Sequence, residues 1–310
     1  MARIRLRNAT IGTLQVTEKA TIGGVEMNTL GIGYVKEYFV DNVVGASTND
    51  GSSWEKAMDQ PSVAITAWAT LLATYDNIYV RAVIYIRGTS TAYTTLTALP
   101  SYCDMVGIGA DPSGNGTGIA RIGPDAGAYD GVLVSASVRG LNCYNLQFQA
   151  GNGKYAFKGT SLFRSRFENC VFAGNGAPVA QAAAGFEMGI CSGVVFKDCL
   201  WNNQSSADVQ FTVGFNITST HFHGCRVEGC YIVGDVGIAI ASGCVNAWGS
   251  WFKDCYIGVG GGACSIGVDD NATTGHIIYA NCWVQATDAF ELTNNAARII
   301  GCYAANALAT

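Results

Sequence analysis

Charged side chains and long apolar runs are both scarce in this chain of 310 residues. Only 13% of the residues are Asp, Glu, Lys or Arg, so we expect an outer surface rich in Ser, Thr, Asn and Gly, or one covered by a partner. No apolar run reaches the roughly 18 residues that a membrane-spanning helix needs. A net charge of −5 gives no reason to expect a nucleic-acid partner. The composition therefore predicts neither membrane insertion nor nucleic-acid binding.

Signals for secretion, metals and cofactors are also missing. Arg3, Arg5 and Arg7 lie near the start of the chain, but no continuous apolar stretch accompanies them, so the N-terminus does not predict a secretory signal. The spacings of the 12 cysteines do not match a zinc ribbon or a zinc finger. We therefore predict no metal centre and no cofactor.

One six-residue pattern occurs seven times between residues 143 and 304. It reads apolar, any residue, Asn/Asp/Gly, usually Cys, any residue, apolar. The third position returns every 20 to 30 residues. The stretches are Cys143–Phe148, Phe167–Phe172, Phe196–Trp201, Phe222–Val227, Phe252–Ile257, Tyr279–Val284 and Ile299–Ala304, with third positions Asn145, Asn169, Asp198, Gly224, Asp254, Asn281 and Gly301.

A repeat of this length predicts a solenoid, because one unit cannot bury its own apolar face and must stack on its neighbours. The apolar residues alternate in short bursts, which indicates coils of short parallel strands. Asn, Asp and Gly tolerate the left-handed backbone of a tight bend, so we expect the third position there. From about residue 76 to 310 the chain resembles the right-handed parallel β-helix of the pectate-lyase-like superfamily. The expected fold class is all-β.

The segment before the coils resembles the N-terminal module of phage tailspikes and related surface proteins. The matching parts are a strand at Tyr38–Asp41, a helix at about Pro61–Ala73 and a strand at Asp76–Val80. Pro61 suits a first helical turn, and the helix is expected to cover the open first coil. The predicted organisation is an extended arm at residues 1–35, this module at 36–87 and the β-helix coils at 88–310.

The arm has a strand-like start and little apolar content. Arg3, Arg5 and Arg7 alternate with Ile4 and Leu6, which is the spacing of a strand. Too few apolar residues are present to form a core, so we expect the arm to become ordered against another virion protein or a symmetry mate. A flexible terminus is the alternative.

Six of the 12 cysteines recur once per coil, at the fourth motif position. Each is followed two residues later by an apolar residue, so both side chains are expected on the same face of a strand. Free cysteine often behaves as a small apolar residue in protein interiors. We predict an inward-facing stack of reduced thiols.

Two rows of side chains are expected to point outward, because side chains alternate along a strand. Both rows become apolar or aromatic towards the C-terminal end. We expect Tyr256, Trp283 and Tyr303 to form either a sugar-stacking strip or a trimer interface, and Ala280 and Ile300 beside them favour the interface. The second motif position gives Tyr144, Glu168, Lys197, His223, Lys253, Ala280 and Ile300, and the fifth gives Gln147, Val171, Leu200, Arg226, Tyr256, Trp283 and Tyr303.

Asp269, Asp270 and His276 are the nearest candidates for catalysis. They are similar to the Asp-Asp and Gly-His elements of polygalacturonase-like hydrolases, but these elements lie only a few residues apart here instead of about one coil. A turn is the alternative role for both aspartates, and we predict no catalytic site. His221 and His223 share an outer face without a third ligand nearby, which does not predict a metal site.

These patterns predict a structural phage protein at the virion surface, made in the host cytoplasm without a signal peptide. A homotrimeric β-helix is expected to project from the particle as a capsid decoration or fibre, anchored by its arm and in reach of bacterial surface polysaccharide. The alternative is a tailspike-type depolymerase, either hydrolase or lyase, or a glycan-binding adhesin. A secreted polysaccharide lyase is a third hypothesis, and the missing signal peptide argues against it.

Overall fold

A computed structural model describes residues 20–22, 25–27, 34–74, 80–114, 117–124, 127–174, 182–201, 211–258, 264–293 and 296–306. Two short N-terminal strands, β1 (Ala20–Ile22) and β2 (Val25–Met27), pair antiparallel. Arg3, Arg5 and Arg7 lie outside the described residues, and of the strand expected at Asp76–Val80 only Val80 is described. Within the described ranges, no helix has the length and apolar character of a membrane span.

The other elements follow in chain order. They are β3 (Tyr34–Val40), α1 (Pro61–Leu72), β4 (Arg81–Arg87), β5 (Cys103–Ile108), β6 (Arg121–Ile122), β7 (Val132–Arg139), β8 (Leu141–Tyr144), β9 (Gln147–Ala150), β10 (Tyr155–Phe163), β11 (Arg166–Glu168), β12 (Val171–Gly174), β13 (Ala182–Ser192), β14 (Val195–Lys197) and β15 (Leu200–Trp201). They continue with β16 (Phe211–His223), β17 (Arg226–Glu228), β18 (Tyr231–Ile232), β19 (Val236–Ile240), β20 (Ser250–Lys253), β21 (Tyr256–Gly258), β22 (Ile266–Asp270), β23 (Ile277–Ala280), β24 (Trp283–Ala286), β25 (Asp288–Leu292), β26 (Arg298–Ile300) and β27 (Tyr303–Asn306).

Three parallel sheets form the three sides of a solenoid, and each complete coil gives one strand to every sheet. The chain is a right-handed parallel β-helix, all-β apart from one short helix, as predicted. The first sheet contains β3, β4, β5, β8, β11, β14, β17, β20, β23 and β26 in the described chain. The second contains β6, β9, β12, β15, β18, β21, β24 and β27, and the third contains β7, β10, β13, β16, β19, β22 and β25.

Left-handed residues form the bend between the first and second sheets. Six of the seven predicted bend residues lie there with φ between 50° and 63°: Asn145, Asn169, Asp198, Asp254, Asn281 and Gly301. The assignment of Gly224 was wrong. Phe222 pairs with Cys191 in the third sheet, so Gly224 turns the chain from the third sheet into the first. The fourth coil bends instead at Gly229, with φ of 61°, and its repeat is Val227–Ile232.

The outward row on the first sheet changes accordingly, because Glu228 takes the place predicted for His223. The charges in this row alternate in sign from Glu168 to Lys253. Lys197 Nζ lies 3.4 Å from Glu168 Oε1. Pairs as exposed as these contribute about 0–1 kcal/mol. The row in register is Tyr144, Glu168, Lys197, Glu228, Lys253, Ala280 and Ile300.

Stacked aromatic rings fill the interior. The rings of Phe167 and Phe196 are 5.0 Å apart with planes 8° from parallel, and Phe172 stacks on Trp201 at 4.6 Å. The columns arise because the strands pair in register, so each coil sets its inward side chain on that of the coil before it. Such pairs contribute about 0.5–1.5 kcal/mol beyond the area they bury.

The cysteines are inside, as predicted, with eleven of the 12 buried and none in a disulfide. Cys255 Sγ donates to the carbonyl oxygen of Val227 in the preceding coil at 3.4 Å. Burial raises the pKa of the Cys143 and Cys191 thiols well above their usual value, so both stay neutral. The thiol column after the bend contains Cys170, Cys199, Cys230, Cys255, Cys282 and Cys302.

The helix α1 covers the N-terminal end of the interior, close to the predicted bounds. Trp68 is fully buried, and its indole Nε1 donates to the Ser101 carbonyl at 2.8 Å. The strand β3 pairs in parallel with β4, so residues of the N-terminal module continue the first sheet of the coils.

Candidate functional site

Four aromatic side chains occupy equivalent outward positions on successive strands of the second sheet. They are Tyr231, Tyr256, Trp283 and Tyr303, and we call them the aromatic ladder. Arg226 was predicted in this row, but it lies on the first sheet opposite Trp251. Tyr231 takes its place, so the ladder has one aromatic residue more than the sequence pattern indicated.

The rings of the ladder stack in two pairs. The centroids of Tyr231 and Tyr256 are 4.6 Å apart with planes 7° from parallel. Trp283 and Tyr303 are 4.3 Å apart with planes tilted by 38°. Partial burial raises the pKa of the Tyr231 and Tyr256 hydroxyls, so both remain neutral donors at physiological pH. The ladder therefore presents ring edges along much of its length.

Exposure increases along the row that contains the ladder. Gln147 and Val171, at the N-terminal end of the row, are 1% and 2% exposed. Trp283 and Tyr303, at the C-terminal end, are 45% and 56% exposed. The second sheet is thus covered by its own chain at one end and bare at the other.

The bend beside the ladder is apolar on both of its sides at the C-terminal end. Ala280 and Trp283 flank the bend residue Asn281 on neighbouring sheets. One coil further on, Ile300 and Tyr303 flank the bend residue Gly301 in the same way. Ile300 is 55% exposed. We call this edge of the solenoid the ladder corner. It brings together all four residues predicted for an interface, Tyr256, Trp283, Ile300 and Tyr303.

Asp269 and Asp270 lie on opposite faces of β22, because they are successive residues of a strand. The side chain of Asp270 is fully buried, where it accepts hydrogen bonds from the Tyr279 hydroxyl at 3.2 Å and the Ala272 amide at 3.1 Å. Asp269 accepts a bond from the Asn271 side chain. Burial, with the Asp270 charge next, raises the pKa of Tyr279 well above its usual value. The two carboxylates do not face a common substrate bond as glycoside hydrolysis requires.

A groove of about 550 Å³ opens at a different edge, between turns that lead from the third sheet to the first. His276, the third catalytic candidate, lies next to this groove and meets the ring of Trp248 edge-on, at 4.9 Å and 81°. Sequence reasoning missed the groove, which we call the hydroxyl groove. Its polar side chains are Ser242, Asn271, Thr273, Thr274 and Thr293.

The histidine pair does not form a metal centre with other side chains. Phe222 is buried between them, as predicted, and His221 Nδ1 lies 2.6 Å from the Thr220 hydroxyl. Among the residues that the structure describes, no group of three or more His, Cys, Asp or Glu side chains is placed to hold a metal ion.

Comparisons with known proteins support the fold alone. No protein-family model matches the chain, and no curated protein matches it. The chain is similar to the crystal structure of the pectate lyase Pel9A, with 16% identity, a TM-score of 0.56 and coverage of 87% of this chain and 69% of that one. It is also similar to a pectin methylesterase variant in complex with a hexasaccharide, with 12% identity, a TM-score of 0.51 and coverage of 88% and 90%.

Proposed function

We propose that the protein is a structural component of a phage particle, a homotrimeric β-helix that projects from the virion surface and is anchored by its N-terminal arm. The observation that carries the proposal is the ladder corner. Contiguous exposed apolar patches on a folded protein mark interaction surfaces. Trp283 and Tyr303, each about half exposed, are of the residue types that most often dominate the binding energy of protein interfaces.

Ring stacking within the ladder favours a protein partner over a saccharide. A sugar ring packs its C–H groups on the open face of an aromatic ring. In the ladder, Tyr231 and Tyr256 lie face to face, and Trp283 covers a face of Tyr303. A protein surface packs equally well against ring edges, because close packing makes no demand on which atoms meet. The ladder is therefore better suited to an interface between chains.

A second copy of the chain is the partner that fits the ladder corner. The corner runs parallel to the solenoid axis, so three copies can bring their corners together around a common axis. Each ladder then packs against two equivalents, and the rotation closes without leaving an unpaired face. Lys253 interrupts the apolar row on the N-terminal side, so we expect the tightest contact of the proposed trimer in the last coils, at Ile300 and Tyr303.

Two further features are consistent with the proposed place of the trimer on the particle. Three continuous sheets make a stiff rod, and the arm at residues 1–35 is the segment proposed to bind capsid or tail proteins. The depolymerase hypothesis receives less support, because Asp269 and Asp270 lie on opposite faces of one strand. A particle-bound structural role therefore accounts for more of the described surface than a catalytic one.

Two measurements test the proposal. Sedimentation equilibrium of the purified full-length chain should give three times the chain mass. Quantitative mass spectrometry of purified phage particles should find the chain in a fixed ratio to the major shell subunit, and a variant without residues 1–35 should assemble but fail to bind particles. A monomeric protein, or one absent from particles, would contradict the proposal. A ratio near that of the shell means a decoration, and a few trimers per particle mean a tail location.

A further inference from the structure

The hydroxyl groove is separate from the ladder corner and has the character of a ligand site. We propose that it binds an uncharged saccharide, with the Trp248 indole as a stacking surface and the hydroxyls of Ser242 and Thr273 as hydrogen-bonding groups. The virion role proposed above would bring such a site to bacterial surface glycans. The inference itself rests on the groove and does not require the trimer.

The groove has a suitable size, and its turns are joined by hydrogen bonds. Its volume of about 550 Å³ lies within the range of roughly 300–1,000 Å³ typical of small-molecule sites. Backbone hydrogen bonds join the turns of successive coils that form it. The Asn271 amide donates to the Ile240 carbonyl at 2.9 Å, and the Thr293 amide donates to the Asp270 carbonyl at 3.0 Å. A preformed site of this kind loses little conformational entropy on binding.

Gly275 allows the turn that lines the groove to pack closely against the turn that carries Trp248. Gly275 lines the groove and has φ of 90°, a conformation that side chains rarely adopt. A Cβ at this position would lie 2.8 Å from the backbone nitrogen of Ala247 and 3.0 Å from that of Trp248. The absence of a side chain at 275 therefore allows the two turns to touch, and it places the backbone of Trp248 against a residue that lines the groove.

The polar groups of the groove match a ligand with many hydroxyls. Asn271, Thr274 and Thr293 make side-chain hydrogen bonds within the protein, which fix the shape of the wall. The Ser242 and Thr273 side chains make none in the described part of the chain, and both residues are exposed. A hydroxyl donates one hydrogen bond and accepts two, so it pairs with a sugar hydroxyl in either direction.

Trp248 offers the apolar surface that a sugar ring needs. The indole is 50% exposed. His276 meets it at 81°, and such an edge-on contact leaves at least one indole face uncovered by the imidazole. This arrangement differs from the ladder, where the Tyr231 and Tyr256 rings lie face to face and the planes of Trp283 and Tyr303 are tilted by 38°. An open aromatic face beside free hydroxyls suits the alternation of C–H and O–H groups on a pyranose.

The lack of charged side chains among the described lining residues disfavours acidic ligands. None of the described residues that line the groove is charged. Two carboxylates accept hydrogen bonds from residues that line the groove, Asp269 from the Asn271 side chain and Asp270 from the Ala272 amide. An anionic sugar would have to give up water for a site without a cation, and such desolvation is costly. We therefore expect neutral hexoses, pentoses or N-acetylated sugars rather than uronates.

Isothermal titration of the full-length protein with maltohexaose, cellohexaose, mannohexaose, xylohexaose and chitohexaose tests the site, with hexagalacturonate as the anionic comparison. We expect at least one neutral probe to bind with a Kd on the order of 1 mM or tighter. Trp248→Ala should weaken that binding by about tenfold or more, a difference of about 1.4 kcal/mol, and Trp248→Phe should restore most of it. Thr273→Val should weaken it by about threefold to tenfold.

Thr287→Val is the matched control, because Thr287 is an exposed threonine in a turn between the second and third sheets, away from the groove. It should bind like the wild type, and thermal unfolding should confirm that all variants are folded. The inference is overturned if no neutral probe binds at concentrations on the order of 10 mM. Unchanged binding by Trp248→Ala or tighter binding of hexagalacturonate would also overturn it. Any of these results leaves the trimer proposal intact, since the mass of the protein tests that independently.

Discussion

Gln147 and Tyr303 occupy the same outward row of the second sheet, six coils apart, yet their surroundings are opposite. Gln147 is buried because a segment that contains Pro112 and Gly114 crosses the sheet above it. Its side-chain amide donates to the Pro112 carbonyl at 2.8 Å and to the Gly114 carbonyl at 3.3 Å. Tyr303 and its neighbour Trp283 have no such cover from the described residues. The same sheet is therefore closed by its own chain at one end and open at the other.

The two ends also differ in the type of side chain that they carry on the outer surface. At the covered end the first strand of the row carries two buried amides, which are joined by the 2.8 Å bond from Gln149 Nε2 to Gln147 Oε1. At the bare end the row carries aromatic rings, which contact one another, and Gln285 accepts a bond from the Tyr256 hydroxyl. An apolar surface that the described residues leave exposed supports the proposed cover by another chain.

The largest expected effect comes from making the bare end polar. The double variant Trp283→Ser, Tyr303→Ser should be a folded monomer, because each aromatic side chain at an interface centre contributes about 2 kcal/mol or more to association. Sedimentation equilibrium and thermal unfolding measure the two outcomes. The matched control is Trp248→Ser, which removes an equally exposed indole from a different edge and should stay trimeric. A trimeric double variant would show that the ladder corner is not the interface.

The second prediction concerns the buried thiols. It tests whether the ladder double variant keeps the same buried interior as the wild type. Burial holds the pKa of Cys143 and Cys191 well above the value of about 8.5 in an unfolded chain, so the folded state retains protons that the unfolded state loses. Their contribution to stability is complete below pH 8.5 and falls as the pH rises, by about 1.4 kcal/mol per pH unit for each thiol. Urea unfolding under reducing conditions from pH 7 to 10 should show this loss equally in the wild type and the ladder double variant. Stability that is flat above pH 8.5 would contradict it.

The smallest expected effect comes from uncovering the covered end. Gln147→Ala leaves the Pro112 and Gly114 carbonyls without their donor, so the free energy of unfolding should fall by about 1–3 kcal/mol. Proteolysis near Pro112 should become faster, because the crossing segment loses its attachment to the sheet. Lys197→Ala serves as the control, since this exposed ion pair contributes about 0–1 kcal/mol. Equal stability losses in the two variants would mean that the segment is held by other contacts.

Much of the fold could be predicted from single residues. Asn145, Asn169 and Asn281 adopt the left-handed conformation that their residue type tolerates, and each is followed by a buried side chain. Gly224 was assigned to the wrong bend because Phe222–Val227 matches the six-residue pattern as well as a true repeat does. Gly224 and Gly229 both have positive φ and both precede a buried cysteine, so only strand pairing distinguishes the two bends.

The candidate sites were less predictable, for a physical reason. The ladder could be read in part, because its residues hold equal positions in the repeat, and the error at Gly224 alone concealed Tyr231. The hydroxyl groove could not, because Ser242, Thr273 and Thr293 belong to turns of different coils with different lengths. They meet only through stacking, and no periodic signal in the sequence marks turns of irregular length.

The alternating row of Glu168, Lys197, Glu228 and Lys253 has a consequence for how the solenoid winds as it folds. Every coil presents a similar strand, so a growing end could skip one coil and pair with the next, an error that hydrophobic contacts alone would tolerate. Such a skip would set Glu168 against Glu228, or Lys197 against Lys253, and like charges on adjacent strands repel. The energy per pair is small, but it favours the correct neighbour at each step of winding. The row thus disfavours pairing between coils that are not neighbours in the sequence.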